Sequence, residues 1–152
     1  MKNLKFMSLM LALVSYTTIA LTSCGNDDEP AKPTINLTEV GHHNSKHVHP
    51  GHDLHVEAKV VAEGLVKRID IEIHQEGGSF KIAKAYTEGK YIGVRNIEFH
   101  EHIDIPANAP LGKYHMHLVV TDQLGQQTKG ESQLEVIEDD GHEEEEHEHQ
   151  HE

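Results

Sequence analysis

Beyond residue 53 the chain alternates apolar and polar residues with a period of two, the spacing of strands that bury one face. Leu54, Val56, Ala58 and Val60 share one parity, with His55, Glu57 and Lys59 on the other. Ile69, Ile71 and Ile73 repeat the pattern against Asp70, Glu72 and His74. Ile97, Phe99, Ile103 and Ile105 form a third buried set, and Tyr114, Met116, Leu118 and Val120 a fourth. With a shorter run at the start, the alternation predicts strands over 34–40, 53–63, 66–75, 80–86, 97–105, 113–121 and 127–137. Their boundaries are turn residues: Glu76-Gly77-Gly78-Ser79, a Pro106 to Gly112 corner, and Asp122-Gln123-Leu124-Gly125. Seven short strands without helical periodicity predict an all-β domain, a two-sheet β-sandwich over residues 33–138.

The flanks break this pattern. Lys2 and Lys5 precede a mostly apolar run from Phe6 to Leu21, and Leu21-Thr22-Ser23-Cys24 follows. A basic start, an apolar stretch and small residues before a cut site read as a secretory leader over 1–23, too short for a convincing spanning helix. Leu-Thr-Ser-Cys resembles the lipobox of bacterial lipoproteins, which implies lipidation of Cys24. The alternative is an ordinary signal peptide with an incidental cysteine. Residues 24–32 are polar and proline-punctuated, a tether to the domain. Residues 139–152 hold eight acids and four histidines with almost nothing apolar to bury, so they are expected to be disordered.

Charge and cysteine content narrow the function. The formal charge is −13 for all 152 residues, and removing the leader with its two lysines makes it −15. That disfavours nucleic acid and anionic lipid heads as partners. Cys24 is the only cysteine. Once it is lipidated, the mature chain has no disulfide, thiol nucleophile or thiolate ligand, so any metal must be held by nitrogen and oxygen.

Histidine is the candidate chemistry. All fifteen lie beyond residue 41. Five (His42, His43, His47, His49 and His52) fall in the loop Gly41 to His52, and His55 and His74 stand singly. His100 and His102 form one His-x-His pair, His115 and His117 another, and His142, His147, His149 and His151 lie in the tail. On a strand His-x-His puts both rings on one face, a spacing suited to a shared metal, although each pair alone is more often an ordinary polar face. Taken singly, His55 and His74 read as surface residues. The loop exceeds what a solvated turn requires, though a pH-sensing loop would use the same residues. Imidazole with carboxylate and no thiolate suits Zn²⁺, with Cu²⁺ or Ni²⁺ as alternatives.

The run from Ile105-Pro106 through Gly112-Lys113-Tyr114, followed by Val120-Thr121-Asp122 and Gly125, resembles part of bacterial immunoglobulin-like domains. Phe99-His100-Glu101-His102-Ile103-Asp104-Ile105-Pro106 and Gly112-Lys113-Tyr114-His115 resemble segments of a Bacteroidota lipoprotein family with a domain of unknown function. The likeness spans most of 33–138 and implies an immunoglobulin-like sandwich anchored in the cell envelope, at the outer membrane. Asp27-Asp28-Glu29 just after Cys24 resemble the surface-export signal of Bacteroidota lipoproteins, with a solvated linker as the alternative. The family likeness implies no activity. In an immunoglobulin-like topology the loop histidines, His55, His74, His102, His115 and the tail gather at one pole, away from the tether. The expected ordered ligands are then His102 and His115, helped by His74, His55 or the loop (His47, His49, His52), with His100 and His117 next. His100-x-His102 before Pro110-x-Gly112-x-x-His115 also resembles fragments of two cupin motifs. No glutamate follows at the required distance, and the gap to Pro110 is too short.

Three functions compete. The favoured one is a lipid-anchored zinc-binding module for sequestration, delivery or sensing, with a metal-receiving or envelope protein as partner and no enzymatic activity. The second is an adhesion or assembly module with incidental histidines. The third, a small cupin-like metalloenzyme, has the weakest support.

Overall fold

A computed structural model describes residues 30–139; the expected leader, Cys24, most of the expected tether and the four tail histidines lie outside the described residues. The elements are β1 (Thr34–Val40), a short 3-10 turn (His42–Asn44), β2 (His47–Val48), β3 (Asp53–Val61), β4 (Val66–Gln75), β5 (Lys81–Tyr86), β6 (Asn96–Asp104), β7 (Gly112–Asp122) and β8 (Gln127–Val136). All seven expected strands form. The eighth, β2, is two residues long and follows a turn with positive φ at His43, Asn44 and Lys46. Nothing in its pattern marks it as a strand. Among the described residues no helix is long and apolar enough to cross a membrane.

The strands form two sheets, one ordered β1-β3-β6 and the other β2-β8-β7-β4-β5. The sheets stack because each buries one parity of its strands. Leu54, Val56, Ala58 and Val60 of β3 meet Ile69, Ile71 and Ile73 of β4 and the Tyr114, Met116, Leu118 and Val120 set of β7 in one core. Along one side the sheets close where β1 runs beside β8. There Gly130 leaves room for Ile35, whose methyl lies 3.0 Å from where a β-carbon on Gly130 would sit. β5 pairs with β4, so it extends the larger sheet and leaves β6 as a free edge of the smaller one.

A tyrosine pins the corner between the sheets. Tyr114, 1 % exposed at the start of β7, donates its hydroxyl proton to the Pro110 carbonyl oxygen at 2.7 Å. The bond ties the start of β7 to the chain that leads into it. Tyr114→Phe is expected to lower stability by about 1 kcal/mol, the net worth of one buried hydrogen bond. A urea titration that leaves the midpoint unmoved would contradict this role for the corner.

The two poles follow from the connections. At one, the Gln126 side-chain amide donates to the Pro30 carbonyl oxygen at 2.9 Å, so the chain enters beside the β7–β8 turn. At the other, the loop after β1 meets the end of β8: Ile137 N–H donates to the Val48 carbonyl at 3.0 Å. His49 Nδ1 lies 3.0 Å from the Glu138 carbonyl oxygen, and His52 Nε2 lies 3.4 Å from Asp139 Oδ2.

Candidate metal centre

Alternation decides where the strand histidines point. In β3 the even residues fill the core, so His55 and Glu57 face outward. In β6 Ile97, Phe99 and Ile103 face inward, so His100 and His102 face outward. Antiparallel register sets His55 opposite His102 and Glu57 opposite His100. The His55 ring centroid therefore lies 4.7 Å from that of His100 and 5.0 Å from that of His102. Three imidazoles and a carboxylate share one patch on the outer face of the smaller sheet.

A fifth donor comes from β1 through an irregularity. Ile35, Leu37 and Glu39 have the same parity, which on a regular strand would aim Glu39 at the core. The register shifts between Leu37 and Glu39, so that Leu37 pairs with Ala58 and Glu39 with Glu57. This β-bulge turns Glu39 to the outer face. Two carboxylates directly opposite one another repel when no cation lies between them. His55, His100 and His102 offer ligand atoms all within 4.8 Å of one another, and so do Glu39, His55 and Glu57. His55 belongs to both groups.

Hydrogen bonding orients these donors. His102 Nδ1 pairs with Asp53 Oδ2, which leaves Nε2 to point elsewhere. A carboxylate behind a ligating imidazole fixes its tautomer and raises its basicity. The bond to His102 is also the largest cause holding the Asp53 carboxyl below the usual carboxylate range. This stabilisation is present above the ordinary Asp value and is lost as pH falls through the depressed one. Glu57 Oε1 lies between His100 Nδ1 at 3.1 Å and His55 Nε2 at 3.2 Å. Both are ion-pair approaches without a hydrogen bond, and His55 Nε2 is buried without a hydrogen-bond partner. A buried ring nitrogen left unpaired is costly in the free protein and is the kind of atom a cation satisfies.

The backbone carrying His100 is held from its free edge. The Tyr91 hydroxyl lies 2.9 Å from the His100 carbonyl oxygen and 2.8 Å from Glu101 Oε1, and it accepts the His100 N–H at 3.2 Å. Glu101 has inward parity, yet it is satisfied by Tyr91, by Tyr86 at 3.2 Å and by Lys90 at 3.2 Å. Burial works to raise the Glu101 carboxyl, but those hydrogen bonds outweigh it and hold the group below its ordinary value. Burial, with the Glu101 charge added, pushes the Tyr86 phenol far up.

The expected partnership of His102 with His115 is not what the fold builds. β6 belongs to the smaller sheet and β7 to the larger, and both histidines point away from the core. They lie on opposite outer faces, separated by the thickness of the sandwich, so no single ion reaches both. His74 and His117 go with His115, at ring separations of 5.5 Å from His74 to His115 and 5.0 Å from His74 to His117. Burial, reinforced by the Lys129 ammonium, pushes the His117 imidazole below its ordinary value, with Glu131 pulling the other way. His42, His47, His49 and His52 line a depression at the pole with Asp53, while the His43 ring lies tilted against His42 with centroids 3.9 Å apart. Through Asp53 that depression adjoins the His102 side of the smaller-sheet patch. The sequence missed Glu39, Asp53 and the Tyr91–Glu101 support. Of these, only Asp53, beside the His52-x-x-His55 run, carried a local signal.

Comparison with known proteins adds family membership. No curated protein matches the chain. The crystal structure of the sporulation control protein Spo0M from Bacillus subtilis is similar over 73 % of this chain, at 13 % identity and a TM-score of 0.43. The match spans 51 % of that protein's chain, about half its length. A family profile described as a domain of unknown function, DUF4625, matches residues 22–137. That span takes in every described strand and both histidine patches, and the protein belongs to the DUF4625 family.

Proposed function

We propose that the chain is a lipid-anchored module of the cell envelope that binds a borderline divalent cation, Zn²⁺ before Cu²⁺ or Ni²⁺, on the outer face of its smaller sheet. The observation that carries this reading is the convergence of His55, His100 and His102 with Glu57 and Glu39 from three adjacent strands. Tetrahedral zinc with bonds of about 2.0–2.1 Å needs donors about 3.3 Å apart. Within each converging group the donor atoms lie within 4.8 Å of one another before any ion is bound. Side chains of His100 and His102 are each 55 % exposed, so a bound ion stays open to exchange with a receiving protein. This supports sequestration, delivery or sensing over a closed structural role. The Leu21-Thr22-Ser23-Cys24 segment supports the anchor, which would sit at the outer membrane and hold the pole loop away from it.

The test is a calorimetric Zn²⁺ titration of the full chain in detergent, beside a variant with His142, His147, His149 and His151 all changed to alanine. A tight equivalent retained without the tail histidines is expected. Zinc binding that vanishes with the tail histidines would leave the folded domain without a metal role.

A further inference from the structure

The larger sheet repeats the same donor set on the opposite face. β4 carries Glu72-Ile73-His74 and β7 carries His115-Met116-His117, with His74 opposite His115 and Glu72 opposite His117. β3 and β6 have the same cross-strand quartet, with His55 opposite His102 and Glu57 opposite His100. Each quartet gains a second glutamate from the next strand: Glu39 opposite Glu57 in one, Glu131 of β8 opposite His117 in the other. Three histidines and two glutamates from three adjacent strands therefore occur on each outer face.

From this repetition we infer a second divalent-cation site formed by His74, His115 and His117, with Glu72 or Glu131 as the carboxylate. It is a separate ion position and does not depend on the first being correct. His117 Nδ1 is buried without a hydrogen-bond partner, as His55 Nε2 is in the other quartet. Glu131 Oε1 approaches that nitrogen at 3.4 Å. Two features make this site the weaker of the pair. The His74 and His117 rings lie stacked, 25° from parallel, so at least one must rotate before its nitrogen converges with the others. Glu131 is also paired with the Lys129 ammonium, which must release it for it to ligate. The ion is of the same borderline class, since the donors are imidazole nitrogen and carboxylate oxygen with no thiolate.

Residue-resolved carbethoxylation of the full chain, read by mass spectrometry across a Zn²⁺ series, separates the two sites. We expect His55, His100 and His102 to become protected first, and His74, His115 and His117 at roughly tenfold or more higher zinc. His74→Ala and His117→Gln should each abolish protection of His115 while leaving that of His55, His100 and His102 unchanged. Equal modification of His74, His115 and His117 with and without saturating zinc would overturn the second site. If His55, His100 and His102 alone are protected, the first site stands by itself. If the larger-sheet histidines alone are protected, the second stands and the first fails.

Discussion

Changing His55 to alanine should weaken zinc binding at the smaller sheet by about 100-fold or more. Loss of groups that merely orient a ligand already costs roughly 10–100-fold, and His55 is a donor at the centre of the patch. It belongs to both converging groups, and only 17 % of its side chain is exposed. Without it, His100 and His102 remain as a two-imidazole pair on one strand, with Glu57 beside them. The metal-free protein should tolerate the change, because the ring nitrogen removed is one that is buried without a hydrogen bond. Thermal scans should therefore show near-native melting without metal and loss of the zinc-induced stabilisation. For the parent chain that stabilisation amounts to about 4 kcal/mol at a zinc concentration 1,000 times Kd. A His55→Ala protein that zinc still stabilises as much as the parent would remove His55 from the site.

Phe99→Ala should cost about 3–5 kcal/mol, a large share of the roughly 5–15 kcal/mol that holds a domain of this size together. Phe99 is 1 % exposed and faces the core from the free-edge strand of the smaller sheet. Its ring meets Tyr86 edge-on at 5.4 Å and Tyr91 at 5.0 Å. Those are two of the residues that hold Glu101, and Tyr91 also holds the His100 backbone. Truncation leaves a cavity beneath the histidine pair and removes the packing that positions the Tyr91 hydroxyl. In urea the midpoint should fall with the slope unchanged, the signature of lost stability without a change in exposed area. A shift below about 1 kcal/mol would mean that the aromatic cluster can collapse around the gap.

Much of the fold was legible because period-two alternation reports directly which side chains are buried. Leu54 to Val60, Ile69 to Ile73 and Tyr114 to Val120 face inward as their parity requires. The same alternation placed His55, His74 and both His-x-His pairs on outer faces. Parity says nothing about which sheet a strand joins. That choice depends on long-range pairing, so His102 and His115 could be placed at one pole but not on opposite faces. Two local departures from the apolar–polar alternation also escaped. A bulge after Leu37 turns Glu39 outward, and Glu101 faces the core because two phenols and an ammonium satisfy it. Strand β2 is too short to carry a period at all. The leader, Cys24 and the tail histidines remain expectations from composition and motif, since they lie outside the described residues.

Anomalous diffraction at the zinc edge, from crystals of the protein grown with Zn²⁺, tests the central claim most directly. The account predicts a peak between β3 and β6, about 2.0–2.1 Å from a nitrogen of His55 and from at least one of His100 and His102. Glu57 or Glu39 should complete the coordination. Zinc found only between neighbouring molecules or along the tail, with the His55 ring unmoved and unliganded, would contradict it.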